Sequence, residues 1–411
     1  MRRVKLLLIL LFLIILLTGC FDKSELEELA YVIVIGIDKG EVNGFEVTYQ
    51  IGNPQVGSSD RVSAGKEPAS EIITLTVPDL VTVRDLANIS VSREVTYSHL
   101  KVIITGEELA RSGEAFKLFD SVLRDEAIKH EVMLIVSKEK ASEFIRGNEH
   151  ELETRPHKHY DFMSRRWEET GLVPDATLLR FIPRTLDDAG LFLSTYATAK
   201  KGETIYGYED QYLAGQVKKE GGNPIQMIGS AVLKEGRMIG TLNGEATKVV
   251  MLLRPQTVRR SMLASYADPL VKGQRIAARW MKTEPTRIKM NLSTDIPKID
   301  VVVPIKMMIL AIDSGIDYVE DLERQKILKD SIASSLERKS MEVIKKTQQE
   351  FKGDPFQWYL IARQQFWTLD EYKNYDWMKK YPRAETNVKY DIELTNFGRQ
   401  FRPFNKEDIK D

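Results

Sequence analysis

Apolar and polar positions along the chain divide it into recognisable elements. Residues 31–37 (YVIVIGI) are almost wholly apolar and predict a strand. DKGEVNG, 38–44, reads as a hairpin connection. Residues 45–51 then alternate, with Phe45, Val47, Tyr49 and Ile51 apolar, as in a half-buried strand. Residues 52–71 are rich in Gly, Ser and Pro and predict a long loop. IITLTV, 72–77, is a further strand. Pro78 and Asp79 open a helix that runs through Val83, Leu86, Ala87 and Ile89. Strands follow at 99–105 (HLKVIIT) and 131–137 (EVMLIVS). A helix over 114–125 carries Phe116, Phe119, Val122 and Leu123 on one face, and a short one covers 139–147. This alternation predicts an α/β or α+β lobe with helices covering a sheet.

The pattern changes near residue 148, so a subdomain break is expected at 148–160. A helical stretch from 161 leads into the strand LFLSTYATA, ending at 199. Residues 200–224 are charged and Gly-rich, and read as an exposed linker. Beyond it, IQMIGSAVL, the turn Lys234-Glu235-Gly236 and RMIGTL make two strands, and Asn243 or Gly244 opens a short helix. Residues 287–292, 299–312 and 388–394 add extended segments, which suggests an antiparallel or mixed sheet with one covered face. The cover is a long charged helix over 317–351 with Leu322, Leu328, Ile332, Leu336, Val343 and Ile344 at helical spacings. A second, aromatic-rich helix spans 356–367. The fold class is therefore α+β and multi-lobed. Its expected divisions are 1–19, 20–199, 200–224, 225–400 and a tail at 401–411.

The first residues follow another logic. Arg2, Arg3 and Lys5 precede twelve unbroken apolar residues, 6–17, and then Thr18, Gly19 and Cys20. A basic head and a short apolar core are the layout of a secretory signal. A spanning helix needs about 20 apolar residues. Leu17-Thr18-Gly19-Cys20 resembles a bacterial lipobox, in which the chain is cut before the cysteine and its sulfur carries diacylglycerol. Cys20, the only cysteine, is then a lipidation site with cleavage between Gly19 and Cys20, rather than a redox or catalytic group. Two acyl chains anchor stably where one does not. Loss of the signal takes the net charge from −1 to −4, so the lipid rather than surface charge does the holding. Ser24 with Glu27 fits a capping box, which puts folded structure within a few residues of the anchor.

Charge and motifs narrow the chemistry. With 59 basic and 60 acidic residues there is no basic excess for nucleic acid. Gly65-Lys66 lacks both the following Ser or Thr and the earlier glycine of a phosphate loop. His130-Glu131 and His150-Glu151 each lack the second histidine of a zinc protease, and no Gly-x-Ser-x-Gly occurs. His150, His157 and His159 share one segment, but no spacing rule places a further ligand. The expectation is no enzyme, no metal and no cofactor.

The chain resembles the C-subunit lipoproteins of bacterial spore germinant receptors, the Ger(x)C family. The residues that carry the likeness are Gly19-Cys20-Phe21-Asp22 with Glu25 and Leu26, Gly36-Ile37-Asp38-Lys39, His99-Leu100-Lys101, and Arg124-Asp125. They continue with Gly222-Asn223-Pro224, Gly229-Ser230-Ala231, residues 237–242, Glu245 with Thr247, and Asp354-Pro355-Phe356. Phe21 stands where the family usually has tryptophan, and Pro355 and Gln357-Trp358 depart from its Asp-Ile-Phe-Gly pattern. The resemblance implies a non-enzymatic subunit on the outer face of the spore inner membrane. It implies integral A- and B-type receptor subunits as partners, with a small germinant acting indirectly. A solute-binding lipoprotein that feeds a transporter is the alternative.

Overall fold

The computed structural model describes Arg3 and residues 28–397, except 42–43, 54–67, 80–81, 116–117, 120–121, 123, 149–152, 154, 187–189, 206, 208–209 and 257–260. The expected loop at 52–71 and capping turn at 24–27 fall largely or wholly outside the described residues. So do Cys20 and Gly19.

The chain is α+β and is built on two sheets. The first has nine strands. Its centre is β1 (Leu29–Lys39), β5 (Val102–Gly106), β6 (Met133–Ser137) and β7 (Phe192–Thr198), all parallel neighbours. Antiparallel flanks are β2 (Phe45–Gly52) and β3 (Ser70–Val77) on one side, and β8 (Gln226–Lys234) and β9 (Arg237–Leu242) on the other. A short β4 (Glu94–Thr96) pairs with the start of β1. Both faces of the parallel centre are covered, which is why VIITG reads as a continuous apolar run rather than an alternation. Ile103 and Leu134 enter the core on one face, and Val102, Ile104 and Ile135 that on the other.

Helices fill the connections. They are α1 (Thr82–Ser90), α2 (Glu107–Ser112), α3 (Ala141–Arg146), α4 (Pro156–Thr170) and α5 (Leu178–Leu186). The strand expected from residue 99 begins at Val102. Tyr97 to Leu100 instead form a turn, closed by Leu100 N–H on the Tyr97 carbonyl at 2.9 Å. In the expected 114–125 helix, Leu118, Phe119 and Val122 are helical and buried. The helix foreseen from Pro78 starts at Thr82, whose N–H donates to Asp79 Oδ1 at 2.9 Å.

The second sheet has five strands: β10 (Ser261–Ala267), β11 (Arg275–Met281), β12 (Arg287–Asn291), β13 (Lys298–Ile312) and β14 (Glu385–Asn396). The strand β13 pairs antiparallel with β11 and β12, and in parallel with β14. One face is buried under α6 (Gly244–Leu253) and α7 (Leu322–Lys346), which continues as a π-turn, Thr347–Phe351. The long helix thus begins five residues later than expected from 317, where the Asp321 carboxylate caps Glu323 and Arg324. The expected 356–367 helix divides. It is α8 (Trp358–Arg363), and Thr368 then opens α9 (Leu369–Tyr375) with a capping box that competes with continuation, before α10 (Trp377–Lys380).

Segment 200–224 joins β7 to β8, which are hydrogen-bonded neighbours in one sheet. Strands 226–242, expected in the C-terminal unit, therefore extend the first sheet. Leu191, Leu193 and Val232 of that sheet also enter the core that holds the second sheet. Within the segment, Asp210 and Ala214 are buried, and Gly215, Gly221 and Gly222 turn the chain with positive φ.

Two elements carry the interior polar load. At the end of β1, Ala141 and Ser142 donate N–H to the two Asp38 carboxylate oxygens at 2.7 and 2.9 Å, which fastens the strand to the start of α3. Helix α6 is buried nearly all round. The Asn243 side chain caps its start, accepting from Ala246 N–H at 2.9 Å. At its end, Lys282 Nζ and Thr286 Oγ1 donate to the Leu252 carbonyl at 3.0 and 2.7 Å, Trp358 Nε1 donates to Leu253 at 3.0 Å, and Lys282 also reaches the Arg254 carbonyl.

Replacement of Asp38 by Ala leaves two buried N–H groups unmet, so the Asp38→Ala variant should lose about 1–3 kcal/mol in denaturant unfolding. Unchanged unfolding would refute that role. Lys282 gives a pH test. Burial, followed by the nearby Arg254 charge, depresses its ammonium to about 7. The unfolded chain holds that proton up to about 10.4, so between these values it binds more protons than the folded chain and stability rises with pH. The stability advantage of the parent over Lys282→Met should therefore widen from pH 7 to pH 10. A pH-independent difference would exclude the depressed ammonium.

Candidate functional site

Because β1, β4, β5 and β6 run parallel, their first residues line one rim of the large sheet. The chain arriving from Cys20 enters β1 at this rim, nine positions on, at Leu29. The Tyr31 and His99 rings meet edge-on there, with centroids 4.6 Å apart. Lys101 is threaded into the rim by its backbone: its N–H donates to Ile33 O at 2.9 Å and its carbonyl accepts from Met133 at 3.0 Å. That leaves its side chain to cross to α4, where Nζ pairs with Asp161 Oδ1 at 3.0 Å.

A hollow of about 410 Å³ opens beside this pair, lined by Leu100, Lys101, Lys129, Asp161 and Trp167 among others. Its floor is apolar and its edge carries both signs of charge. Burial, and then Lys129 and Lys101, hold the His99 imidazole below its ordinary value. His157 is lowered by burial too, against the pull of Asp161. Both rings are therefore biased towards the neutral form at neutral pH. Ser98 Oγ lies 3.2 Å from His99 Nδ1, and the charges that act on this ring are those of Lys129 and Lys101.

Two histidines of the 148–160 segment are described. His157 and His159 are two apart on α4, so they leave the helix on different sides. His157 faces Asp161 and Lys101, while Glu153 is the charge acting on His159. His150 lies outside the described residues. Among the described residues no group of three potential metal ligands occurs, and no helix is long and apolar enough to cross a membrane.

The other residues singled out in the sequence make contacts within the fold. Arg124-Asp125 closes a second hollow of about 400 Å³, in which Asp125 pairs with Arg84 at 3.0 Å and the hydroxyls of Tyr49 and Tyr97 hydrogen-bond. Asn223 Nδ2 donates to Asn148 Oδ1 at 2.7 Å, and Asn148 Nδ2 to the Tyr160 hydroxyl at 3.0 Å, which ties the 200–224 segment to α4. Gly229 has φ of +85°, and a Cβ there would lie 2.4 Å from the Leu242 carbonyl oxygen. Thr247 meets Ser230 at 2.7 Å, and Glu245 pairs with Lys339. The Asp354 carboxylate accepts from Phe356 and Tyr359 N–H at 2.7 Å each, while burial pushes its carboxyl up to about 7. Sequence reasoning picked out Lys101 but not its partner Asp161, nor Lys129 or Trp167; nothing in the linear pattern sets those apart from ordinary helix and turn residues.

Comparison with known proteins identifies a family. Residues 22–198 match the family model described as the spore germination protein N-terminal domain. Residues 228–398 match the model described as spore germination B3/GerAC like, C-terminal. Spore germination protein B3 of Bacillus subtilis (strain 168) is 23% identical over 399 residues, which cover 95% of this chain and 97% of that protein. Spore germination protein YndF of the same organism is 22% identical over 429 residues, 97% of each chain. A crystal structure of the GerBC protein aligns with a TM-score of 0.48 at 19% identity, over 90% of this chain and 99% of that one. With both family domains matched in tandem, the chain belongs to the GerAC-like family of spore germination proteins.

Proposed function

We propose that the chain is a lipid-anchored, non-enzymatic subunit of a nutrient germinant receptor. It works as a scaffold and signalling partner of integral A- and B-type subunits on the outer face of the spore inner membrane. The observation that carries this reading is the order along the chain: the first family match starts at residue 22, directly after the Leu17-Thr18-Gly19-Cys20 pattern. Signal cleavage before Cys20 and diacylglycerol on its sulfur then place the folded part close to the bilayer. From Cys20 to Leu29 the chain spans at most about 30 Å even when fully extended. Two acyl chains supply the retention, at ~0.8 kcal/mol per buried methylene.

In this reading the rim around Lys101 and Asp161 is the surface nearest the membrane and the integral subunits, because β1 enters there. The germinant acts through those subunits.

Cys20→Ala should move the protein from washed membranes to the soluble fraction while its circular dichroism stays that of the parent; full retention in membranes would overturn the anchor. Recovery of the lipidated protein from spore membranes should bring integral receptor subunits with it, and recovery without them would sink the partner assignment. A Gly/Ser insertion between Cys20 and Leu29 should weaken the germination response without releasing the protein. An unaltered response would show that a close tether is not needed.

A further inference from the structure

Where the two sheets meet, two arginines lie in the interior. Arg184, in the last turn of α5, is 7% exposed, and Arg254, just past the end of α6, is 4% exposed. Among the described residues neither makes an ion pair. Arg254 Nε donates to the Pro355 carbonyl at 3.1 Å, but its Nη2 has no partner. The Arg184 guanidinium lies 5.9 Å from the centre of the Phe192 ring, and its Nη1 has no partner either. The two are close enough that, after burial itself, Arg184 is the strongest influence lowering Arg254, which falls to about 9. Arg254 in turn, after burial, lowers the ammonium of buried Lys282.

Among the described residues the nearby acids also serve other groups, and Asp354, which attracts Arg254, is itself pushed towards its neutral form by burial. Asp175 pairs with Arg180 at 2.7 Å. Both Asp354 oxygens accept backbone N–H groups. The neighbouring Gln357 is held by Gln256 through its carbonyl oxygen, and its buried Nε2 is also unpartnered. The locality therefore presents free N–H donors from two guanidinium forks and an amide, and like charges that repel at low dielectric. A buried guanidinium without a partner is costly, and an unmet buried donor calls for an ion or a water. A water would satisfy a donor but would leave the charge uncompensated, whereas an oxyanion does both. Guanidinium forks also match the geometry of oxyanions.

We infer that Arg184 and Arg254 together hold a small inorganic oxyanion, of phosphate or sulfate type, as a structural ligand at the junction of the two sheets.

The test uses the full lipidated chain in non-ionic detergent, first exchanged into gluconate buffer. Inorganic phosphate should raise Tm logarithmically once it exceeds its dissociation constant, as for a ligand of the folded state alone. Potassium gluconate at equal ionic strength should not, and Arg184→Gln and Arg254→Gln should respond no more to phosphate than to gluconate. An ion that survives the exchange should be released on denaturation in stoichiometric amount, as read by ion chromatography. Acetate acting as well as phosphate would show a carboxylate site and overturn the inorganic assignment. Should the glutamine variants fail to fold, Arg184→Lys keeps the charge without the fork and should move the response to higher phosphate. No released anion together with equal responses of the parent to phosphate and gluconate overturns the site.

Discussion

Helix α6 ends inside the protein, and its last carbonyl oxygens must be met without water. Eight of its ten residues are buried. Helix C-termini leave carbonyls unpaired, and unpaired carbonyls in an apolar interior cost more than a typical hydrogen bond contributes. Three donors meet Leu252, Leu253 and Arg254, and each comes from a different part of the chain: Lys282 just beyond β11, Thr286 before β12, and Trp358 at the start of α8. Satisfying one helix end thus positions the second sheet and the aromatic segment relative to the first sheet, from which β9 leads directly into α6. Ammonium and indole groups suit the place because they add donors and, for Lys282, a charge that complements the negative end of the helix.

The same constraint explains why the two halves are not loosely joined. Trp358 can reach Leu253 only because Asp354 gathers the N–H groups of Phe356 and Tyr359 and starts α8 there. Asp354 is in turn tied to the first sheet, since its carbonyl accepts Leu191 N–H at 2.9 Å, one residue before β7. A charged, glycine-rich connection such as 200–224 looks like a hinge in sequence. Here it arches between two paired strands of one sheet, and Leu193 and Val232 on those strands share a core with β13 and α7.

Much of this was legible in sequence wherever periodicity and burial agree. Residues 31–37, 45–51 and 388–394 lie within strands because their apolar pattern matches a sheet with one or both faces covered. Asn243 as the start of α6 follows from its side-chain acceptor. The misplaced edges have local causes: His99-Leu100 turn rather than extend, and Thr368 restarts a helix that propensity would have continued. The strands β10 and β11 escaped notice, because SMLASYA and RIAARWM alternate in burial while Leu263 and Met281 stand on the exposed face, which blurs the alternation in sequence. The candidate rim was hardest to read. Lys101 and Asp161 are sixty positions apart, and only the parallel order of β5 and β6 brings them together.

What family membership transfers follows from what its shared positions do. Asp38 closes a helix start, Gly229 permits a backbone contact, Thr247 meets Ser230, and Asp354 organises a turn. Each solves a problem of unpaired backbone or crowded chain, so each specifies shape. His99, Leu100 and Lys101 belong to the same family-like set and do lie at the rim, where Lys101 reaches Asp161 at 3.0 Å. If the rim is the partner surface proposed above, what distinguishes one member from another has to be sought in rim side chains outside that set, such as Lys129 and Asp161, which cap no helix end and pair no strand.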